Sequence, residues 1–172
     1  MRNSPCGNAT EVALRDAQRR LPDTIDNLLV LSTTALNATE RCHFAYVDGY
    51  RTLGDHNAAT VLVDLYGQDL PGVFAPDPRV AHRVDHNPDE LVVTLRSPVD
   101  QLTVEDGAAA DFRVTGAVVQ SVRWQFGRGL VLTLDRPVPA EATVSYHSHV
   151  GAGPRVMTST GVGLLAFRVP VQ

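Results

Sequence analysis

The segment Gln68 to Pro78, QDLPGVFAPDP, separates two textures that do not belong to one kind of secondary structure. Pro71, Pro76 and Pro78 each lack an amide donor and hold φ fixed, and Gly72 sits among them. Neither a helix interior nor a central strand tolerates that density of breakers, so residues 68–78 read as a linker. Beyond it the hydrophobic period is two. ELVVTLR, QLTVED, ADFRVTG, QSVRWQF, GLVLTLD, ATVSYHSH and GVGLLAFRVPV are short strand-like runs separated by Gly, Pro and Asp turns. Alternation is clearest at Phe112/Val114 and Val144/Tyr146. Such spacing predicts a compact antiparallel β-sandwich over residues 79–172, with little room for a helix.

Before the linker the period is helical. In TEVALRDAQRRL, Leu14, Ala17 and Leu21 fall on one face, Thr10 suits an N-cap and Pro22-Asp23 ends the helix. NLLVLST (residues 27–33) is a continuous apolar run, the pattern of a strand buried on both faces in a parallel sheet. A polar loop follows over residues 34–41. Tyr50, Leu53, Val61, Leu62, Leu65 and Tyr66 then carry a second helix to Gly67. Helix, buried strand, loop and helix form the tail of an α/β domain over residues 1–67. One such strand with two helices covers neither its faces nor its edges. Residues 1–67 are therefore expected to be a piece of a domain whose earlier strands lie elsewhere.

Charge and cysteine usage narrow the function. A net charge of −4 argues against nucleic-acid binding, which needs a basic patch. All 15 cationic side chains are arginine, a bias of composition rather than a functional signal. No apolar run approaches the roughly 18–20 residues of a membrane span. The N-terminus MRNSPCGNATEV has no apolar core, so no signal peptide is read there, and the compartment stays open. Cys6 and Cys42 cannot make a tetrahedral zinc site alone; one disulfide or two free thiols are both open. The sequons at Asn8 and Asn37 matter only in a eukaryotic secretory pathway.

Chemistry concentrates in ERCHFAYVDGYRTLG, where Glu40 stands three residues before His43. A hydrolytic histidine takes a proton from a nucleophile and is oriented by a carboxylate through its other ring nitrogen. Glu40-x-x-His43 can supply that pair from one loop, although the same two residues also suit a plain helix cap. Cys42 makes a poor nucleophile because adjacent residues in an extended loop point apart. Ser4 has no strand before it and is not nominated. His147-x-His149 would put two imidazoles on one strand face, with His82 or His86 as a third metal ligand, against the plainer reading of loop-end histidines. Trp124, Tyr146 and Phe167 read first as core and second as a sugar-stacking platform. GAGPR (residues 151–155) lacks a following helix and is no phosphate loop.

The chain resembles the last third of the SGNH (GDSL-type) hydrolases, particularly the bacterial carbohydrate esterases of the sialate O-acetylesterase type. LRDAQRRLPDTIDNLLVLST, CHFAYVDGYRTLGDHNAATVLVDLYG and VSYHSHVGAGPRVMTSTGVGLLAF carry the resemblance. It implies the C-terminal part of a flavodoxin-like three-layer α/β domain followed by the β-sandwich. It implies His43 as general base and Glu40 in the place of the usual aspartate, with Asp48 out of order. Gly49, Tyr50 and Leu53 become packing and turn residues. The family's Gly-Asp-Ser nucleophile and its oxyanion-hole Gly and Asn are absent from this sequence. The expected reaction is hydrolysis of acyl, chiefly acetyl, esters on sugars by a Ser-His-acid mechanism without cofactor or metal. The expected partners are an acylated carbohydrate and an upstream half carrying the serine; alone, the chain is expected to be close to inactive. A second expectation, from another class, is a non-catalytic β-sandwich module that binds glycan or a partner protein.

Overall fold

The computed structural model describes residues 3–4, 7–8, 12–36, 44–147 and 153–172. Helix α1 (Val12–Arg19) follows a minimal hairpin, β1 (Asn3–Ser4) with β2 (Gly7–Asn8). A 3-10 turn at Leu21–Asp23 stops it where Pro22 removes a donor. A π-helical turn, Tyr46–Arg51, leads into helix α2 (Thr52–Asp64). The chain leaves that helix at Gly67, whose φ of +66° suits glycine and whose amide donates to the Val63 carbonyl.

The remaining elements are strands. They run β3 (Pro78–Val84), β4 (Asn87–Leu95), β5 (Leu102–Val104), β6 (Phe112–Val114), β7 (Val119–Gln125), β8 (Gly129–Leu134), β9 (Thr143–Tyr146), β10 (Val156–Thr158) and β11 (Phe167–Pro170). All named pairings are antiparallel: β3-β4-β8-β7, β11-β9-β6 and β10-β5. The first two sheets also meet edge to edge. Ala81 bridges Val171 in parallel, and the Gln172 amide donates to the Ala81 carbonyl at 2.9 Å. Pro78 is tolerated because it opens its strand.

One core lies between the two larger sheets. Leu91 and Val93 of β4 and Leu130 and Leu132 of β8 face Phe112, Val144, Tyr146, Phe167 and Val169. The Phe112, Tyr146 and Phe167 rings cluster at centroid distances of 4.7 to 6.3 Å. Strands β6, β9 and β11 alternate strictly, with Arg113, Ser145 and Arg168 in register on the outer face. Strands β4 and β8 are buried on both faces, Val92 and Val131 included, which explains their unbroken apolar runs.

The three-layer α/β expectation is corrected. No parallel sheet forms among the described residues before 68, and residues 28–33 adopt no regular structure. The apolar run of NLLVLST is only Leu28 to Leu31, and no neighbouring strand offers it a ladder. Instead the segment passes close against the chain between β10 and β11. A Cβ on Gly163 would sit 2.5 Å from the Thr34 carbonyl oxygen, so only glycine admits this approach. Ala35 turns the chain at φ +69°, and Leu36 is buried.

Helix α1 is also turned the other way. Leu14 is 49% exposed and Leu21 and Ala17 are exposed, whereas Val12, Asp16 and Arg19 are buried. The spacing is helical, but the buried stripe is the charged one. Arg19, only 3% exposed, donates through Nε and Nη2 to Asp16 at 3.1 and 2.7 Å, to the Pro78 carbonyl at 2.6 Å, and to Asp77. Asp16 in turn accepts from the Arg168 amide of β11 at 3.1 Å. Arg96 extends the network, forking onto Asp23 at 2.6 and 2.9 Å and pairing with Asp77 at 3.0 Å. Buried charge survives because each member is paired and hydrogen-bonded. Thr10, the expected cap, lies outside the described residues.

Candidate functional site

Glu40 and His43 lie outside the described residues, as do Cys6, Cys42 and His149. Asp48 falls in the π-helical turn, and Gly49 beside it is held by contact: a Cβ there would sit 2.3 Å from Phe44 Cβ. Tyr50 sets its ring against Phe44 edge to face at 5.6 Å.

Of the histidines weighed as metal ligands, His147 ends β9 with Nε2 3.2 Å from Ser145 Oγ. Burial, then the surrounding cationic groups, Arg113 and Arg15 among them, hold its imidazole below the usual histidine range. His82 belongs to β3 and His86 to the turn after it. Among the described residues no group of three or more His, Cys, Asp or Glu side chains is placed to hold a metal ion.

The aromatic platform separates into two roles. Tyr146 and Phe167 belong to the core, and burial, aided by Asp111 and Glu105, raises the Tyr146 hydroxyl well above the ordinary phenol range. Trp124 packs half-buried against the same core and also reaches the surface. It lines a groove of about 420 Å³ between residues 94–100, at the end of β4 and beyond, and the β7–β8 hairpin. Its Nε1–H points at the Asp100 carbonyl at 3.4 Å, a long and solvent-exposed contact. Phe126, at the hairpin tip, is 75% exposed and lines the same groove. Thr94, Ser97, Asp100 and Arg128 give the groove donors and acceptors of both kinds, while Arg96 is held in the wall by its aspartates.

Local sequence builds this rim. Gly127 takes φ +70° in the three-residue turn, and Arg128 N–H donates back to the Gln125 carbonyl at 3.0 Å. Gly129 lets β8 pass close to β4, since a Cβ there would sit 2.3 Å from the Val93 carbonyl oxygen. Sequence reasoning singled out Trp124 and missed Phe126. The signal that finds it is a phenylalanine beside Gly127 in QFGRG, where the glycine makes a turn and a turn tip has no core to fill.

A scan against protein-family models matches none, and searches of curated proteins and of solved structures return no relative. The SGNH resemblance accordingly rests on its quoted motifs alone, without the three-layer sheet that would carry them.

Proposed function

We propose that this chain is a non-catalytic β-module that binds carbohydrate in the groove lined by Trp124 and Phe126. The observation that carries the reading is the pair itself: a half-buried indole and a phenylalanine that buries little of its ring, lining one groove. Sugar rings present flat C–H faces to such aromatics and hydroxyls that both donate and accept. Thr94, Ser97, Asp100 and Arg128 offer the complementary groups. The ester-hydrolase reading, which rests on the Glu40-x-x-His43 spacing and the quoted motifs, has less support, because the three-layer sheet implied by the resemblance is absent among the described residues.

Trp124 is the only tryptophan, so its fluorescence reports the groove directly. Titration with soluble oligosaccharides is expected to give a saturable change for at least one glycan. Phe126→Ala should weaken that binding by about tenfold or more, the loss expected of an exposed aromatic contact. Its melting temperature should stay unchanged, and His43→Ala should bind as the wild type does. Absence of saturable binding across a glycan array, or binding indifferent to Phe126→Ala, sinks the proposal. Turnover of p-nitrophenyl acetate that disappears in His43→Ala would restore the esterase.

A further inference from the structure

The outer face of the β11-β9-β6 sheet carries a cleft of about 450 Å³ that shares no lining residue with the Trp124 groove. Arg113, Ser145 and Arg168 stand in one row across its three strands. Thr115 and Thr143 make the next row, with their hydroxyls 3.0 Å apart. His147, on the other side of the arginine row, and Val12 and Ala13 of α1 also line it.

Both arginines are exposed, so a solute reaches them. Arg168 pairs its guanidinium with no described residue, although Asp and Glu hold other arginines of the fold. Arg113 spends one Nη on the carbonyls of Ala110 and Phe112, which holds its fork in place and leaves Nε and the second Nη for another acceptor. Among the described residues no Asp or Glu lines the cleft. Asp111, across from His147, stays out of it, and Asp16 is already shared by Arg19, Arg20 and the Arg168 amide. A chain of net charge −4 thus presents one locally positive face. The lowered pKa of His147 registers the same field, since Arg113 and Arg15 add to the effect of burial.

Neighbouring strands lie about 4.8 Å apart, so the two arginine Cα atoms flank Ser145 at a separation of about 10 Å. Side chains of arginine length span that gap and can meet over the serine, where two like charges need an anion between them. Two guanidinium charges call for a dianion. Forks arriving from opposite sides also need oxygens on more than one edge, which a tetrahedral oxyanion has and a planar carboxylate lacks.

We propose that this cleft binds a tetrahedral dianion, the phosphate or sulfate group of a monoester, between Arg113 and Arg168 over Ser145. The hydroxyls of Ser145 and of the threonine row supply neutral donors around it.

Sodium phosphate and sodium sulfate, titrated separately into the full chain at neutral pH and constant ionic strength, test this by side-chain 1H–15N spectra. Both salts raise melting temperatures without a site, so the arginine resonances carry the reading. Expected is a saturable movement of the Arg113 and Arg168 Nε–H signals with at least one anion, the tighter of the two naming the ester. Arg168→Gln should weaken binding by about tenfold or more, with the melting temperature in sodium chloride unchanged. Arg113→Gln should weaken it comparably, and Ser145→Ala less. If Arg113→Gln loosens the turn it holds, Arg168→Gln carries the test alone. Arg136→Gln, an exposed arginine elsewhere, and Phe126→Ala should bind as the wild type does. No saturable movement with either anion, acetate binding as tightly, or a response unaltered in Arg168→Gln overturns the assignment. None of these outcomes depends on the sugar groove.

Discussion

Replacing Arg19 by methionine keeps much of the side-chain volume and withdraws a cation from between Asp16 and Asp77. Two carboxylates would then be left facing each other without their shared partner. Breaking a buried pair from one side typically costs about 3–5 kcal/mol, far more than an exposed pair contributes. Arg19→Met is therefore expected to lower the urea midpoint strongly, whereas Arg136→Met, whose pairing with Asp135 is exposed, should leave it nearly unchanged. An Arg19→Met midpoint within error of the wild type would mean that the network does not anchor the helix. Asp77 adds a pH signature. Burial raises its pKa above the ordinary carboxylate value, outweighing the opposing pull of Arg19 and Arg96. The folded chain thus holds this proton longer than the unfolded chain does. The contribution of Asp77 is fully present below the ordinary carboxylate pKa and is lost as pH rises through the raised one.

At the scale of elements, α1 shows what amphipathic periodicity leaves undecided. Val12, Asp16 and Arg19 are as helically spaced as Leu14, Ala17 and Leu21, and β11 selects the first set by offering the Arg168 amide. Leu14→Glu should accordingly change stability by no more than about 0.5 kcal/mol, as surface substitutions do, while Val12→Glu should destabilise clearly. A destabilised Leu14→Glu chain would return the helix to its leucine face. The same comparison marks how far the sequence could be read. In residues 78–170 turn residues mark off the strands, and in β6, β9 and β11 alternation announces them, because half-buried strands write their pleat into the order of side chains. Leu28 to Leu31 announce nothing definite: four apolar residues suit a strand, a helix turn or a crossing segment, and only a neighbour decides. Phe126 reads from the sequence as the last residue of the strand-like run QSVRWQF, and the strand stops one residue earlier.

For the whole molecule, the distribution of exposed apolar surface is lopsided. Leu14, Leu21, Ile25, Leu29, Leu65 and Tyr66 are exposed before residue 75, whereas among the described residues after it only Val118 and Phe126 are large exposed apolar side chains. A β-core that satisfies itself carries an N-terminal part with many exposed apolar side chains, and such surface, where it gathers, binds apolar probes. The native chain is expected to enhance 8-anilinonaphthalene-1-sulfonate fluorescence below its melting transition, with the enhancement reduced by Leu65→Asp and Tyr66→Asp together. A native chain that leaves the dye dark would count against this surface. The anchoring of α1 has a consequence for the order of assembly. Asp16 meets Arg168 across 152 residues of sequence. The first helix therefore has no seat until the last strand has paired, and contacts that distant form late. Through that interval the docking face is shown to water by Asp16 and Arg19, which hydrate well and attract no neighbouring chain. A leucine stripe in their place would be sticky for as long as it waited. The charged face thus protects the chain before it holds the fold together.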